Sequence, residues 1–279
     1  MTHTIPYPDW QASLDEPARE FLESARKRVA EEGADAIPVL LPALPRKIGR
    51  LSAAAGLAVV RGRVWDWGAW RNCDLAALEL IEEAEISDAM RVDLFLHGDM
   101  EERVMTMRTL APAPVTDATV ELLGEAQRTN TVPHFEAAIC DSNLLVRALE
   151  HPSFGIEDFN RMILKLAFIG LPLSRVLEVC DHANEDLSRM LQDLATEREA
   201  AGRAVWPDTN RLIARAPAPG TLARLIGGLE HGDDQQRLAA AEGIAAMPPR
   251  PELAELARER LEREPRSEIR IALERIASL

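Results

Sequence analysis

Three charged side chains, Glu136, Lys165 and Arg198, occur in helical stretches whose neighbours are mostly apolar, and they are the residues best suited to chemistry. A carboxylate that borders an apolar face can serve as a base or as a binding anchor. A lysine amine in apolar surroundings can become a catalytic group, and an arginine can offer a bidentate fork to an anionic ligand. An enzyme with a helical pocket is therefore one hypothesis for this chain.

Each of these three residues also has a structural interpretation. Glu136 can pair with an arginine of the next helix, and we favour that pairing. Lys165 shares a narrow helical stripe with Asp158 and Arg161, which favours an interhelical pair over a catalytic amine. Arg198 interrupts the apolar arc of its helix. Near a helix C-terminus an arginine can bind the last carbonyl groups, so both interpretations of this residue stay open.

The helix that contains Arg198 carries further polar residues. Asn184 suits its N-cap, and Gly202 suits the left-handed position that ends it. Arg189 and Asp193 lie four residues apart, on a face where a solvated row of salt bridges is the default. The same face could instead contact a binding partner.

The sequence lacks the short motifs that mark common enzyme classes. It contains no G-x-G-x-x-G, P-loop, H-E-x-x-H or G-x-S-x-G, and Asp233-Asp234 stands alone as an acidic pair. Cys180, Asp181 and His182 lie on one tight turn without distant partner ligands, which argues against a zinc site. We therefore expect no metal, no cofactor and no covalent chemistry.

The composition favours close-packed helices. Hydrophobic residues make up 47% of the 279 residues and aromatic residues only 4%, so Ala and Leu carry the apolar content. A net charge of −14 argues against sequence-independent binding to nucleic acid. The longest apolar stretch, LSAAAGLAVV, is about half of what a membrane span needs. With no secretory pattern and three unpatterned cysteines, we expect a cytoplasmic protein.

Helical patterns follow one another along the chain, and no convincing strand alternation interrupts them. Residues 46–60 form an Ala- and Leu-rich run that we interpret as a buried helix. Trp65, Trp67 and Trp70 follow within six positions. Because aromatic side chains dominate buried area, we favour an anchor between helices over a ligand platform.

A repeated pattern suggests how the helices are arranged. Two segments share the spacing His-Gly-Asp-x-x-x-Arg, in which the Asp suits a helix N-cap and the Gly a left-handed helix end. We therefore predict an all-α fold, a HEAT-like helical repeat array (α-solenoid). The linker ARAPAPG divides it into a helical body, residues 1–215, and a C-terminal HEAT-like repeat or cap, residues 216–279. The aligned residues are His97 with His231, Gly98 with Gly232, Asp99 with Asp233, and Arg103 with Arg237.

Five strings in the middle of the chain share a family pattern. They are Asn130 with Pro133-x-Phe135-Glu136-Ala137, Asn160-x-Met162-x-Leu164-Lys165, Pro172-Leu173-x-Arg175, Ala183-Asn184-x-x-Leu187-x-Arg189-Met190-Leu191-x-Asp193, and Glu197-Arg198-x-Ala200-Ala201-Gly202-Arg203. Through these strings the chain resembles, from about residue 48 to residue 206, the EboA family of bacterial metabolite-traffic proteins. The resemblance implies cytosolic, non-enzymatic handling of a small secondary metabolite that is lipophilic or prenylated. It also implies partners from the same pathway, such as a UbiA-type prenyltransferase and hydrolase-like or synthase-like proteins.

We predict that the helices between residues 130 and 203 bind the metabolite or one of its partner proteins. A metabolite carrier should have an enclosed apolar pocket with a few polar groups. A protein–protein scaffold without a small-molecule site, the alternative, should show a broad apolar patch. An enzyme should bring its titratable residues within hydrogen-bond reach at a cleft. The predicted binding residues are Asn130, Glu136, Lys165, Arg175, Asn184, Arg189, Asp193 and Arg198.

Overall fold

The computed structural model describes residues 5–52 and 55–278, and helices predominate throughout these ranges. The mostly helical architecture confirms the predicted class. The α-helices are α1 (Glu16–Glu32), α2 (Ile37–Leu40), α3 (Leu44–Lys47), α4 (Asn72–Glu83), α5 (Asp88–His97), α6 (Met100–Arg108), α7 (Asp117–Arg128), α8 (Val132–Ile139), α9 (Leu144–Ala148), α10 (Ile156–Ile169), α11 (Glu185–Ala200), α12 (Thr209–Arg215), α13 (Thr221–Gly228), α14 (Asp234–Ala245), α15 (Pro251–Leu261) and α16 (Ser267–Ala277). Short 3₁₀ turns cover Gln11–Ser13, Gly33–Ala36, Leu41–Ala43, Trp67–Ala69, Leu173–Arg175 and Val179–His182.

The chain folds into two compact units. The first comprises Met1–Phe159 and Ser174–Leu177, and the second comprises Asn160–Leu173 and Glu178–Leu279. The division after residue 215 and the HEAT-like solenoid arrangement both stay predictions.

A β-hairpin takes up the last four residues of the helix predicted for residues 46–60. Helix α3 ends at Lys47, and strand β1 (Leu57–Val60) pairs antiparallel with strand β2 (Arg63–Asp66). Residues 53 and 54 of the predicted helix lie outside the described part of the chain. Short apolar runs do not distinguish a strand from a buried helix, and the β-branched Val59 and Val60 favour the strand. The helix prediction was therefore wrong for the described strand.

The hairpin turn has the backbone conformation that joins two twisted strands tightly. Arg61 and Gly62, its two central residues, have φ values of 51° and 79°, as a type I′ turn requires. A distant residue stabilises this turn, because the Asn143 side chain donates to the Gly62 carbonyl (2.7 Å) and accepts from the Val64 amide (3.0 Å). These long-range bonds explain why local sequence did not reveal the hairpin.

The three tryptophans belong to the core of the first unit. Trp65, Trp67 and Trp70 are 0%, 4% and 2% exposed. The Trp67 ring meets the other two edge-to-face, with centroids 5.3 and 5.0 Å away, the geometry that aromatic pairs prefer. The cluster joins the hairpin to the start of α4, so it is core rather than a ligand platform.

The stretch from Glu136 to Arg147 is broken into two helices. Helix α8 ends at Ile139 and α9 begins at Leu144, with Asp141 between them at φ 61°. In this break Ser142 forms bridges to Trp65 of β2 and to Val176. Glu136 and Arg147 therefore lie on different helices.

The two aligned turns share part of their local bonding. Asp99 caps α6 and Asp233 caps α14, each accepting hydrogen bonds from two amides of its helix. Arg103 donates back to the carbonyl of Gly98, and Arg237 donates back to those of His231 and Gly232. The predicted caps are confirmed.

The glycines of these turns do not adopt the predicted left-handed conformation. Gly98 has φ −68°, and Gly232 is absent from the positive-φ glycines of the described residues. A Cβ on Gly98 would lie 2.5 Å from the Leu94 carbonyl oxygen and 2.9 Å from the Glu102 Cβ. The glycine at position 98 is therefore explained by neighbouring atoms that leave no room for a side chain, and not by a left-handed backbone.

Candidate functional site

Among the predicted residues of the first unit, Glu136 and Arg175 lie together. The Arg175 guanidinium donates to Glu136 Oε1 (2.8 Å) and forks onto both oxygens of Asp141 (3.0 and 2.7 Å). The hydrogen bond to Asp141 is the main reason that the pKa of Arg175 is raised. Burial raises the pKa of the adjacent Cys140 thiol to about 12, so this thiol stays protonated at neutral pH. Asn130 is exposed between α7 and α8.

Arg198 in the second unit binds backbone carbonyl groups. Its Nη2 donates to the Phe168 carbonyl near the end of α10, and its Nη1 donates to the Ala204 carbonyl at 3.2 Å. The guanidinium also lies over the Phe168 ring, 5.5 Å from the centroid. Of the two interpretations that the sequence left open, these contacts match the binding of helix-end carbonyls.

The other predicted residues of the second unit have separate surroundings. Asn184 caps α11 and exchanges hydrogen bonds with Asn160. Burial lowers the pKa of Lys165. Arg189 forms an ion pair with Asp186 on the exposed surface of α11. Asn184, Lys165 and Arg189 do not line the groove described next, and a direct binding role for them stays a prediction.

An open groove of about 550 Å³ lies among α11, α12, α13 and α14 of the second unit. Its size falls within the range of small-molecule sites. Asp193, one of the predicted residues, lines it. The other lining residues that bear on its chemistry are Gln192, Thr196, Glu199, Asn210, Arg224, His231 and Gln236.

Asn210 is the most informative residue of this groove. It is 5% exposed, it lines the groove, and its side-chain amide has no hydrogen bond within residues 5–52 and 55–278. Its polar atoms are not among the fully buried side-chain atoms that lack a partner, so the amide group reaches the open space of the groove. The Asn210 amide is therefore positioned to give one donor and one acceptor to a molecule in the groove. Sequence reasoning missed it, because its position near the start of α12 is unremarkable for asparagine.

A network fixes one wall of the groove. Arg224 donates to both carboxylate oxygens of Glu199 (2.8 and 3.1 Å) and to the Thr196 hydroxyl (2.8 Å). Gln192 donates to the Thr221 hydroxyl at 3.1 Å. These bonds connect α11 to α13, so the wall is held before any ligand arrives.

His231 and Asp193 add polar groups to the same groove. The Nδ1 atom of His231 accepts from the Asp233 amide (3.0 Å), so in the neutral ring the proton lies on Nε2, which is a donor. Asp193 is exposed and has no ion pair in the described part of the chain. The groove therefore offers both donors and acceptors.

A glycine at position 228 allows α13 to approach α14 closely beside Asn210. A Cβ on Gly228 would lie 2.8 Å from the Ala240 Cβ and 3.1 Å from Asn210 Nδ2, whereas one on Gly227 would meet no atom within 4 Å. The absence of a side chain at Gly228 lets α13 pack against α14 beside the Asn210 amide.

Two general features of the described residues bear on function. Residues 5–52 and 55–278 contain no group of three or more His, Cys, Asp or Glu side chains placed to hold a metal ion. Within the same ranges, every helix is too short or too polar to cross a membrane.

Comparison with known proteins identifies one relationship. A family model described as "Metabolite traffic protein EboA" matches residues 65–214, which is more than half of the chain. No curated protein and no solved structure matches the chain significantly. The matched range includes the groove walls from α11 and α12, whereas α13 and α14 follow it.

Proposed function

The chain belongs to the EboA family of metabolite traffic proteins, and from that membership we propose that it binds a small metabolite in the groove of α11–α14 and releases it unchanged. The observation that carries this proposal is the side-chain amide of Asn210, which lines the groove and forms no hydrogen bond with the described residues. A binding site gains specificity from such a group, because a ligand that leaves it unpaired is rejected.

The groove lining supports a polar ligand group. The Asn210 amide, the Nε2–H of His231 and the carboxylate of Asp193 can each form a hydrogen bond with it. We propose that the polar part of the metabolite occupies the groove. A lipophilic or prenyl portion, as the family resemblance implies, remains a proposal, as do a secondary-metabolite substrate, a cytoplasmic location and partners such as a UbiA-type prenyltransferase.

The contacts of the charged residues support handling without covalent chemistry. The carboxylate of Glu136 is paired with Arg175, and the guanidinium of Arg198 donates to backbone carbonyls. Neither is poised as a free base or as an open anion fork.

Protein docking is the second candidate function, and one surface of the first unit favours it. Leu57 and Val59 of β1 are 63% and 66% exposed, and they alternate with buried Ala58. An exposed apolar strand face is a common feature of interaction surfaces. Substituting both residues with serine should abolish capture of a pathway protein if the hairpin is a docking surface.

Native mass spectrometry of the protein purified from its own host tests the groove. We expect a bound small molecule in the wild type and its loss in Asn210→Leu, which keeps the side-chain size and removes the amide. Asn130→Leu is the matched control, since Asn130 is exposed and outside the groove. Retention of the molecule by Asn210→Leu and its loss from Asn130→Leu would refute the groove in favour of the surface around Asn130.

A further inference from the structure

A second recess, in the first unit, lies beside the hairpin turn. It has a volume of about 310 Å³, and its charged lining residues are Arg61, Arg63, Arg147 and Glu150, with His151 beside them. We propose that this recess binds a phosphate-type oxyanion, such as the phosphate of a phosphomonoester. This site goes beyond the proposed groove and shares no residue with it.

The charge of the recess is opposite to that of the whole chain. Its lining residues include three arginines and one glutamate, Glu150, whereas the chain has a net charge of −14. A concave site lined by one sign of charge concentrates ions of the opposite sign. This recess is therefore a local positive region on an acidic protein.

Neutral backbone groups hold two of the arginines in place. Arg63 donates to the Pro112 carbonyl at 2.6 Å. Arg147 donates to the carbonyls of Ala111 (2.6 Å) and Ala113 (2.8 Å). Carbonyl groups orient a guanidinium without cancelling its charge, so the fork of Arg63 is positioned before an anion arrives.

Arg63 keeps N–H donors that no described protein group accepts. It forms no ion pair in the described part of the chain, and its Nε and Nη2 atoms have no protein acceptor there. A guanidinium has five N–H donors in a planar fork, which suits the oxygens of a phosphate. Arg63 therefore retains donors that an oxyanion can use.

The hairpin turn brings a third arginine to the recess. Arg61 precedes Gly62, and its φ of 51° is fixed by the tight turn between the two strands. Asn143 holds this turn through the Gly62 carbonyl and also accepts from Arg147 Nε at 3.1 Å. One asparagine thus links the turn to the opposite wall.

A neighbouring recess indicates why the anion should bind on one side of Arg63 only. That recess shares Arg63 and Pro114 but is lined by Glu82, Glu83 and Glu85. All three of these glutamates are exposed. Their negative charge repels an anion, so the arginine-rich side is the favourable one.

Calorimetric titration of the full chain at low salt tests the proposal. The probes are inorganic phosphate, glycerol phosphate, and vesicles of phosphatidylcholine with or without phosphatidate. We expect saturable binding of a phosphate probe and a loss of about tenfold in affinity for Arg63→Gln, because charge-assisted hydrogen bonds are removed. Arg63→Lys, which keeps the charge but not the fork, should lose less. Arg61→Gln gives a second measurement at an exposed position if Arg63→Gln does not fold.

The control is Arg19→Gln, which removes the same charge from an exposed position on α1 of the first unit. Its affinity for phosphate should stay within about twofold of the wild type, since a distant surface charge is screened. Saturation by the soluble probes assigns the site to a free phosphate compound, and binding only to phosphatidate vesicles assigns it to a lipid headgroup. The proposal is overturned if no phosphate probe binds, or if Arg19→Gln weakens binding as much as Arg63→Gln.

Discussion

Asn160 and Asn184 exchange two side-chain hydrogen bonds in the second unit. Each Nδ2 donates to the Oδ1 of the other residue, at 3.0 and 2.8 Å. Asn184 Oδ1 also accepts from the Leu187 amide at 2.9 Å, so one oxygen both caps α11 and joins that helix to α10. The pair gives a structural explanation for two asparagines within the strings that resemble the family.

Removing the Asn184 side chain should cost more than removing its partner. Asn184→Ala loses both the cap and the amide pair, and we expect a loss of about 2–3 kcal/mol in the free energy of unfolding. Asn160→Ala loses only the pair, at about 1–2 kcal/mol. Urea unfolding of both variants and of the double variant measures the coupling. Strictly additive effects would contradict a direct interaction.

The aligned glycines should respond differently to the same substitution. Gly98→Ala places a Cβ against the Leu94 carbonyl and the Glu102 side chain, and we expect a loss of about 1–3 kcal/mol through overpacking. A Cβ on Gly232 would meet no atom within 4 Å. Gly232→Ala should therefore change stability by about 0.5 kcal/mol or less. Thermal unfolding compares the two, and equal losses would mean that the turns are packed alike.

His134 should make the first unit less stable in mild acid. Its ring is 4% exposed and packs edge-to-face with Phe95, and burial lowers its pKa. Below about pH 6.5, the ordinary histidine value, the unfolded chain binds a proton that the folded chain resists. Stability is therefore fully present above that pH and falls as the pH drops towards the lowered pKa.

The matched variants separate this histidine from the others. The pH dependence of the unfolding midpoint should flatten in His134→Leu, while His97→Leu should keep the wild-type dependence, because His97 is exposed beside Asp93. An unchanged slope in His134→Leu would assign the acid sensitivity to other groups.

Arg175→Lys should destabilise the first unit although it keeps the positive charge. Lysine cannot reproduce the fork onto Asp141 together with the bond to Glu136, so we expect a loss of about 1–2 kcal/mol. Arg189→Lys serves as control, since its exposed pair with Asp186 should contribute about 0.5 kcal/mol or less. A similar small effect at both positions would show that the fork adds nothing to stability.

Local signals predicted the helical parts of the fold. The caps at Asp99 and Asn184 and the left-handed Gly202 depend on neighbours within four residues, and the structure has all three. The β-hairpin was missed, because its turn depends on Asn143, which lies about 80 residues further along the chain. Periodicity cannot report such a contact.

The candidate groove was only partly predictable. Asp193 belongs to the strings that resemble the family, which made it a candidate, and it lines the groove. Asn210 was not predicted, because the lack of a hydrogen-bond partner for its amide depends on how α12 packs against α13 and α14. A Cβ on Gly228 of α13 would lie 3.1 Å from Nδ2 of Asn210 on α12, which shows this dependence. A sequence reveals the type of such a residue but not whether its partners are missing.

The segment Ser174–Leu177 belongs to the first unit, although the stretch before it belongs to the second. A fragment that stops at Phe159 would keep Asp141 and Glu136 but lose Arg175, leaving two carboxylates without their cation. A single cleavage of the backbone therefore cannot separate the two units intact. A fragment meant to contain the first unit must also include the segment Ser174–Leu177.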